Sequence, residues 1–137
     1  MIRFRTDLAR GVRIAAFHGT VDGGELLHAY RTQLDHPDYD PSLDDLVDLR
    51  EVEMLDVSAA ALRELMSMFS RVDALGYATR LAIVAHNDLG YGLGRMYEMM
   101  RDGAPEEVSV FRDLDEAFDW LDAAARFRSL LPGRTAA

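Results

Sequence analysis

The chain has 137 residues, 49% hydrophobic and 28% charged, which suits one domain with its own core and excludes wholesale disorder. Its 24 acidic residues against 15 basic give a net charge of -9, which opposes non-specific binding to nucleic acid or anionic lipid. All 15 basic residues are arginine and cysteine is absent, so Schiff-base lysines, a lysine-dependent P-loop, disulfides, thiolate metal sites and thiol nucleophiles are excluded.

Ile2-Arg3-Phe4-Arg5 alternates apolar and charged residues, the period of a half-exposed strand, and Val12 to Phe17 follows after a short connection, so a hairpin is expected. The longest apolar run here, Ile14 to Phe17, is too short for a signal or a membrane span, which makes a cytoplasmic protein without stable membrane insertion the expectation. Asp22, with Glu25 three residues later, caps a helix whose apolar face is Leu26, Leu27, Tyr30 and Leu34. The prolines at 37 and 41 end it. Leu46 to Leu49 reads as a strand. From Val57 a helix carries Leu62, Leu65, Met66, Phe69 and Val72 on one stripe until Gly76.

Arg80 to Ala85 is a nearly continuous apolar run, as in a strand covered on both faces. A helix from about Asp88 to Arg101 aligns Leu89, Leu93, Met96, Tyr97 and Met100. Glu107 to Phe111 is the last strand, and Asp113 caps a helix burying Leu114, Ala117, Phe118 and Leu121. The order β-β-α-β-α-β-α-β-α predicts a single α/β domain over residues 1–124. Right-handed crossovers would give a mostly parallel sheet with one antiparallel edge, and residues 125–137 form a C-terminal tail.

Ligands of open α/β sheets gather at the carboxyl ends of the strands. The residues following each strand are His18 and Thr20, then Glu51, Glu53, Asp56 and Ser58, then His86, Asn87 and Asp88. Ser58, His86 and a carboxylate have the residue types of a nucleophilic triad, but no Gly-x-Ser-x-Gly elbow surrounds Ser58, and helix capping is the competing role for Ser58 and Asp88. His18, His28, His36 and His86 show no metal-ligand spacing, so no metal and no cofactor are expected. Gly90, Gly92 and Gly94 alternate through a helix start beside Tyr91 and Arg95. That arrangement suits either an anion or ligand pocket, or close packing against a neighbouring element. Met68 and Met99 flank the apolar stripes, as partner surface or as core edge.

The stretch Leu46-Val-Asp-Leu-Arg-Glu-Val-Glu-Met-Leu-Asp-Val-Ser58-Ala-Ala-Ala-Leu62 resembles a STAS domain, the fold of SpoIIAA-type anti-sigma-factor antagonists. Tyr91-Gly-Leu-Gly-Arg-Met-Tyr97 and Val110-Phe-Arg-Asp-Leu-Asp-Glu-Ala-Phe-Asp-Trp-Leu121 are similar to a SpoIIAA-like, STAS/SEC14-type branch of bacterial proteins, and the likeness spans about residues 2–122. The resemblance implies a non-catalytic regulatory or protein-interaction module that works with a protein partner or by self-association. In the antagonists the second serine of the motif is phosphorylated, and Ser58 matches that position. Here Val57 precedes it, and Ala59 and Ala61 stand where the motif has glycines. A second reading, supported by the likeness to lipid-exchanging SEC14-type folds, is a module binding a small apolar or anionic molecule. Its candidate residues are His18, Asp56, Ser58, His86, Tyr91 and Arg95, with the Gly90–Gly94 helix start. A hydrolase using Ser58 and His86 is the third.

Overall fold

In the computed structural model, which describes residues 1–129, the N-terminal alternation does form a hairpin. Strand β1 (Ile2–Asp7) runs antiparallel to β2 (Val12–Asp22), with Ile2 opposite Phe17 and Asp7 opposite Val12. Then come α1 (Gly23–Asp35), β3 (Asp44–Asp56), α2 (Ala59–Met68), α3 (Ser70–Ala74), β4 (Arg80–Val84), α4 (Asp88–Met100), β5 (Glu107–Phe111) and α5 (Leu114–Ser129). The five strands lie in the order β1-β2-β3-β4-β5, and every pair after the hairpin is parallel.

That order has a direct consequence. When successive parallel strands advance across the sheet in one direction, right-handed crossovers set every connecting helix on the same face. Helices α1, α2, α3 and α4 therefore cover one face, over Ala15, Phe17, Leu49, Leu81, Ile83 and Val110. Only α5 remains for the other face, where Ala117 and Leu121 pack on Val12, Ile14, Leu46, Ala82 and Val84. Strand periodicity explains the split: side chains alternate, so Ala15 and Phe17 take one face and Val12 and Ile14 the other.

Three boundaries differ from the sequence expectation. The helix expected from Val57 to Gly76 breaks at Phe69 into α2 and α3. The hydroxyls of Ser67 and Ser70 donate to the carbonyls of Arg63 and Ser67, at 3.1 and 2.7 Å, and such bonds compete with the helical ladder. Gly76, at φ +74°, supplies the left-handed residue that ends the second piece. Strands β2 and β3 also run on, to Asp22 and Asp56, so His18, Thr20, Glu51, Glu53 and Asp56 belong to strands rather than to loops. There Val52 is buried between exposed Glu51 and Glu53, a period-two signal. Finally, α5 extends past residue 124, because Ala123-Ala124-Ala125 favours helix. The remainder of the expected tail, 130–137, lies outside the described residues. No helix among the described residues is long and apolar enough to cross a membrane.

Candidate ligand cavity

The floor of the site comes from inward-facing strand residues: Phe17 of β2, Val47, Leu49 and Leu55 of β3, and Leu81 and Ile83 of β4. The roof is Leu26 and Tyr30 of α1, Leu62 and Leu65 of α2, and Leu93, Gly94 and Tyr97 of α4. Between them lies a cavity of about 80 Å³. One water needs roughly 10–15 Å³ on this measure, so the space suits part of a small organic molecule better than a single solvent molecule.

The glycine-rich helix start is explained by this packing. A Cβ on Gly94 would lie 3.2 Å from Ile83 Cγ2 and 3.2 Å from Val110 Cγ1, and one on Gly90 would lie 3.2 Å from Ala85 Cβ. Gly90 and Gly94, one turn apart, thus let α4 settle directly on the sheet, whereas Gly92 faces open space. The helix N-terminus is already capped, because Asn87 Oδ1 accepts from the Gly90 N–H at 2.7 Å.

Polar groups collect where the parallel strands begin. Arg13 shares the inward phase of Ala15 and Phe17, and Asp45 that of Val47 and Leu49, so the two meet side by side. Arg13 Nε and Nη2 donate to the two Asp45 carboxylate oxygens at 2.8 and 3.1 Å, and Nη1 donates to the Asp40 carbonyl at 3.0 Å. The Tyr39 ring lies 4.2 Å from the guanidinium carbon, and its hydroxyl accepts from Nη2 at 3.3 Å. Glu106, just before β5, joins the same end of the cavity together with Tyr30, Gln33 and Tyr97.

Behind Glu106, Arg101 donates two bonds to Asp73, at 2.7 and 2.9 Å, and only a long one of 3.5 Å to Glu106. Burial, reinforced by the Asp45 charge and only partly offset by Arg101, pushes the Glu106 carboxyl up to about 7. Burial likewise raises the Tyr30 and Tyr97 phenols and takes Tyr39 to about 12. The arrangement can seat an apolar body against leucine, isoleucine and phenylalanine and present hydrogen-bonding groups to its polar end. No group of three or more metal-ligating side chains occurs among the described residues.

The candidates drawn from the carboxyl ends of the strands do not line this cavity. His18 is exposed on β2, its backbone N–H donating to the Met1 carbonyl at 2.8 Å. Asp56 is exposed at the end of β3, opposite Asp22. Ser58 is the N-cap of α2, its Oγ accepting from the Ala61 N–H at 3.1 Å. Arg95 points outward and pairs with Glu98 at 2.6 Å. His86, Asp88 and Tyr91 do come together, through a residue the sequence reading did not single out. Arg112 donates to the His86 carbonyl and to Asp88, at 3.2 and 2.8 Å, and lies 4.3 Å over the Tyr91 ring.

Also missed were Arg13, Asp45 and Glu106. Phase in the strand held the signal for the first two: a charge on the same face as Phe17 or Leu49 must be paired or must border a site.

No protein-family model matches the chain, and no curated protein does either. Among solved structures, the chain is similar to an uncharacterised DUF3478-family protein with a SpoIIAA-like fold from Shewanella loihica PV-4. Identity is 19% and the TM-score 0.53, with 88% of this chain and 92% of that one covered. The five-strand mixed sheet and its five helices are consistent with that likeness. The chain is an α/β protein with the architecture of a single SpoIIAA-like domain.

Proposed function

We propose that this domain is a non-catalytic module that binds an apolar small molecule between α1, α2, α4 and the sheet. The observation that carries the reading is the cavity itself: apolar over most of its wall, with polar groups at one end, the usual composition of a small-molecule site. Titration with Nile red, an uncharged fluorophore that brightens in apolar surroundings, tests it. A saturable signal at one site per chain is expected, and Leu65→Trp, which fills the space beside Phe69, should abolish it while the thermal melt remains cooperative. A wild-type protein that gives no saturable signal, and that carries no compound in native mass spectrometry after gentle isolation, would overturn the reading.

A second reading, a regulatory protein-interaction module, draws on a different feature. Strand β3 pairs with β4 only through Asp48, so its last eight residues have no strand on that side among the described residues. Met54, 56% exposed, sits in this stretch. An open edge of this kind suits addition of a strand from a partner. Amide protection along 50–56 that rises with a partner or with protein concentration would support it, and unchanged exchange would remove it.

A further inference from the structure

Building on the ligand-binding reading, we infer that the polar end of the cavity selects a protonated amine carried on an apolar body, with Glu106 and the hydroxyls of Tyr97 and Tyr30 as its partners. Both guanidiniums near this end are already engaged. Arg13 is committed to Asp45, the Asp40 carbonyl and Tyr39. Arg101 is committed to Asp73 by its two strong bonds, and its unpaired Nε does not belong to the cavity wall. Neither guanidinium is left to receive an anionic head. On the acidic side, Asp45 and Asp73 are doubly bonded, while Glu106 has one contact, at the 3.5 Å limit. Of these three carboxylates facing two guanidiniums, Glu106 is the one without a close partner, and once it ionises the surplus negative charge is its own.

The hydroxyls point the same way. Tyr97 is 94% buried (relative exposure 6%), lines the cavity, and its hydroxyl has no hydrogen-bond partner among the described residues. The Tyr30 hydroxyl has none either, and Tyr30, Tyr97, Asp45 and Glu106 lie within electrostatic reach of one another. Neither oxygen is among the fully buried atoms that lack a partner, so each remains open to the cavity, where a ligand bearing donors can reach it.

An ammonium has three donors and no acceptor, so it can serve Glu106 and both phenolic oxygens at once, and the aromatic walls of Tyr30 and Tyr97 favour a cation further. A carboxylate head would instead face Glu106 and Asp45 with no free guanidinium to meet it. An alcohol is intermediate, since it neutralises nothing.

The test displaces Nile red with n-octylamine, n-octanol and octanoate at about pH 8, where Glu106 is ionised and the amine remains protonated. The amine should bind at least about tenfold tighter than the alcohol, as expected for a charge-assisted bond, and octanoate should be weakest. Glu106→Gln should remove most of the amine preference while leaving the affinity for octanol within about twofold. Tyr97→Phe should weaken the amine about three- to tenfold, the loss of a single hydrogen bond. The ranking on the unaltered protein needs no variant, so it stands even where a variant does not fold. Octanoate binding as tightly as the amine, or a preference indifferent to Glu106→Gln in a folded protein, would overturn the head-group assignment and leave the cavity reading in place. Failure of Nile red itself to bind would overturn both.

Discussion

Gly94 approaches Ile83 so closely that a Cβ on the glycine would stand 3.2 Å from Ile83 Cγ2, with the two methyls of Val110 at 3.2 and 3.3 Å. Both neighbours are buried and β-branched, so their χ1 rotation is restricted and they have little freedom to withdraw. Gly94→Ala therefore trades a gain of about 1 kcal/mol in helix propensity against overpacking of about 1–3 kcal/mol. A net loss of about 1 kcal/mol is expected. Gly92→Ala, two residues away and facing open space, should instead stabilise by about 0.5–1 kcal/mol. Denaturant titration of the pair checks the sign at each site, and two variants of the same sign would refute the packing account.

Much of the fold was legible because it rests on periodicity. The alternation at Ile2–Arg5, the stripe Leu62, Leu65, Phe69 and the apolar run Leu81–Ala85 all report which side is buried. The cavity was less legible, since periodicity tells which face a side chain takes but not what stands opposite. Tyr30 and Tyr97 read as ordinary members of apolar stripes, and only the tertiary structure brings their hydroxyls to Asp45 and Glu106. The general tendency of α/β sheets to bind at the strands' carboxyl ends drew attention to the edge opposite this cavity's polar end. Here the monotonic strand order leaves no reversal point, and the cavity opens beneath three helices on one face, with its polar groups where the strands begin.

The contact between Arg101 and Asp73 ties α4 to α3, and its two halves differ in exposure, 3% for the arginine side chain and 27% for the aspartate. Removing the carboxylate strands a buried cation whose Nε already lacks a partner. Asp73→Asn should therefore cost about 2–4 kcal/mol, toward the range for breaking a buried ion pair. The outward pair Arg95–Glu98 is a useful control, and Arg95→Gln should cost no more than about 0.5 kcal/mol. Equal effects at the two sites would show that burial of Arg101 contributes nothing to the difference.

Helix capping sets a separate prediction for Ser58. Its Oγ accepts from the Ala61 N–H, just as Asp22 and Asn87 cap α1 and α4. Ser58→Ala should destabilise by about 1 kcal/mol, and Ser58→Asp should retain most of the stability because aspartate caps equally well. Thermal melts of the two variants check the capping role, and an aspartate variant as unstable as the alanine one would refute it.

The Glu106 carboxyl gives the domain a specific dependence on pH. Folded, it holds its proton to about pH 7, while in the unfolded chain it returns to about 4.5. Between those values the folded state binds more protons than the unfolded state, so this group's contribution to stability falls as pH rises and levels off above about 7. One proton contributes at most about 1.4 kcal/mol per pH unit. Burial sets that pKa first, with Asp45 and Asp73 raising it and Arg101 lowering it, while Tyr30, Tyr97 and Arg13 stand in the same surroundings. The carboxylates of Asp40 and Asp48 are held below their usual range by hydrogen bonds and lose their contribution only in more acidic solution. Glu106→Gln removes the titrating group and keeps the shape. Urea unfolding of the two proteins across pH 4.5 to 7 should thus show the wild type losing stability relative to the variant as pH rises. Parallel curves would mean that Glu106 titrates as an ordinary solvated acid, and an ammonium would then find no buried charge to neutralise at that end of the cavity.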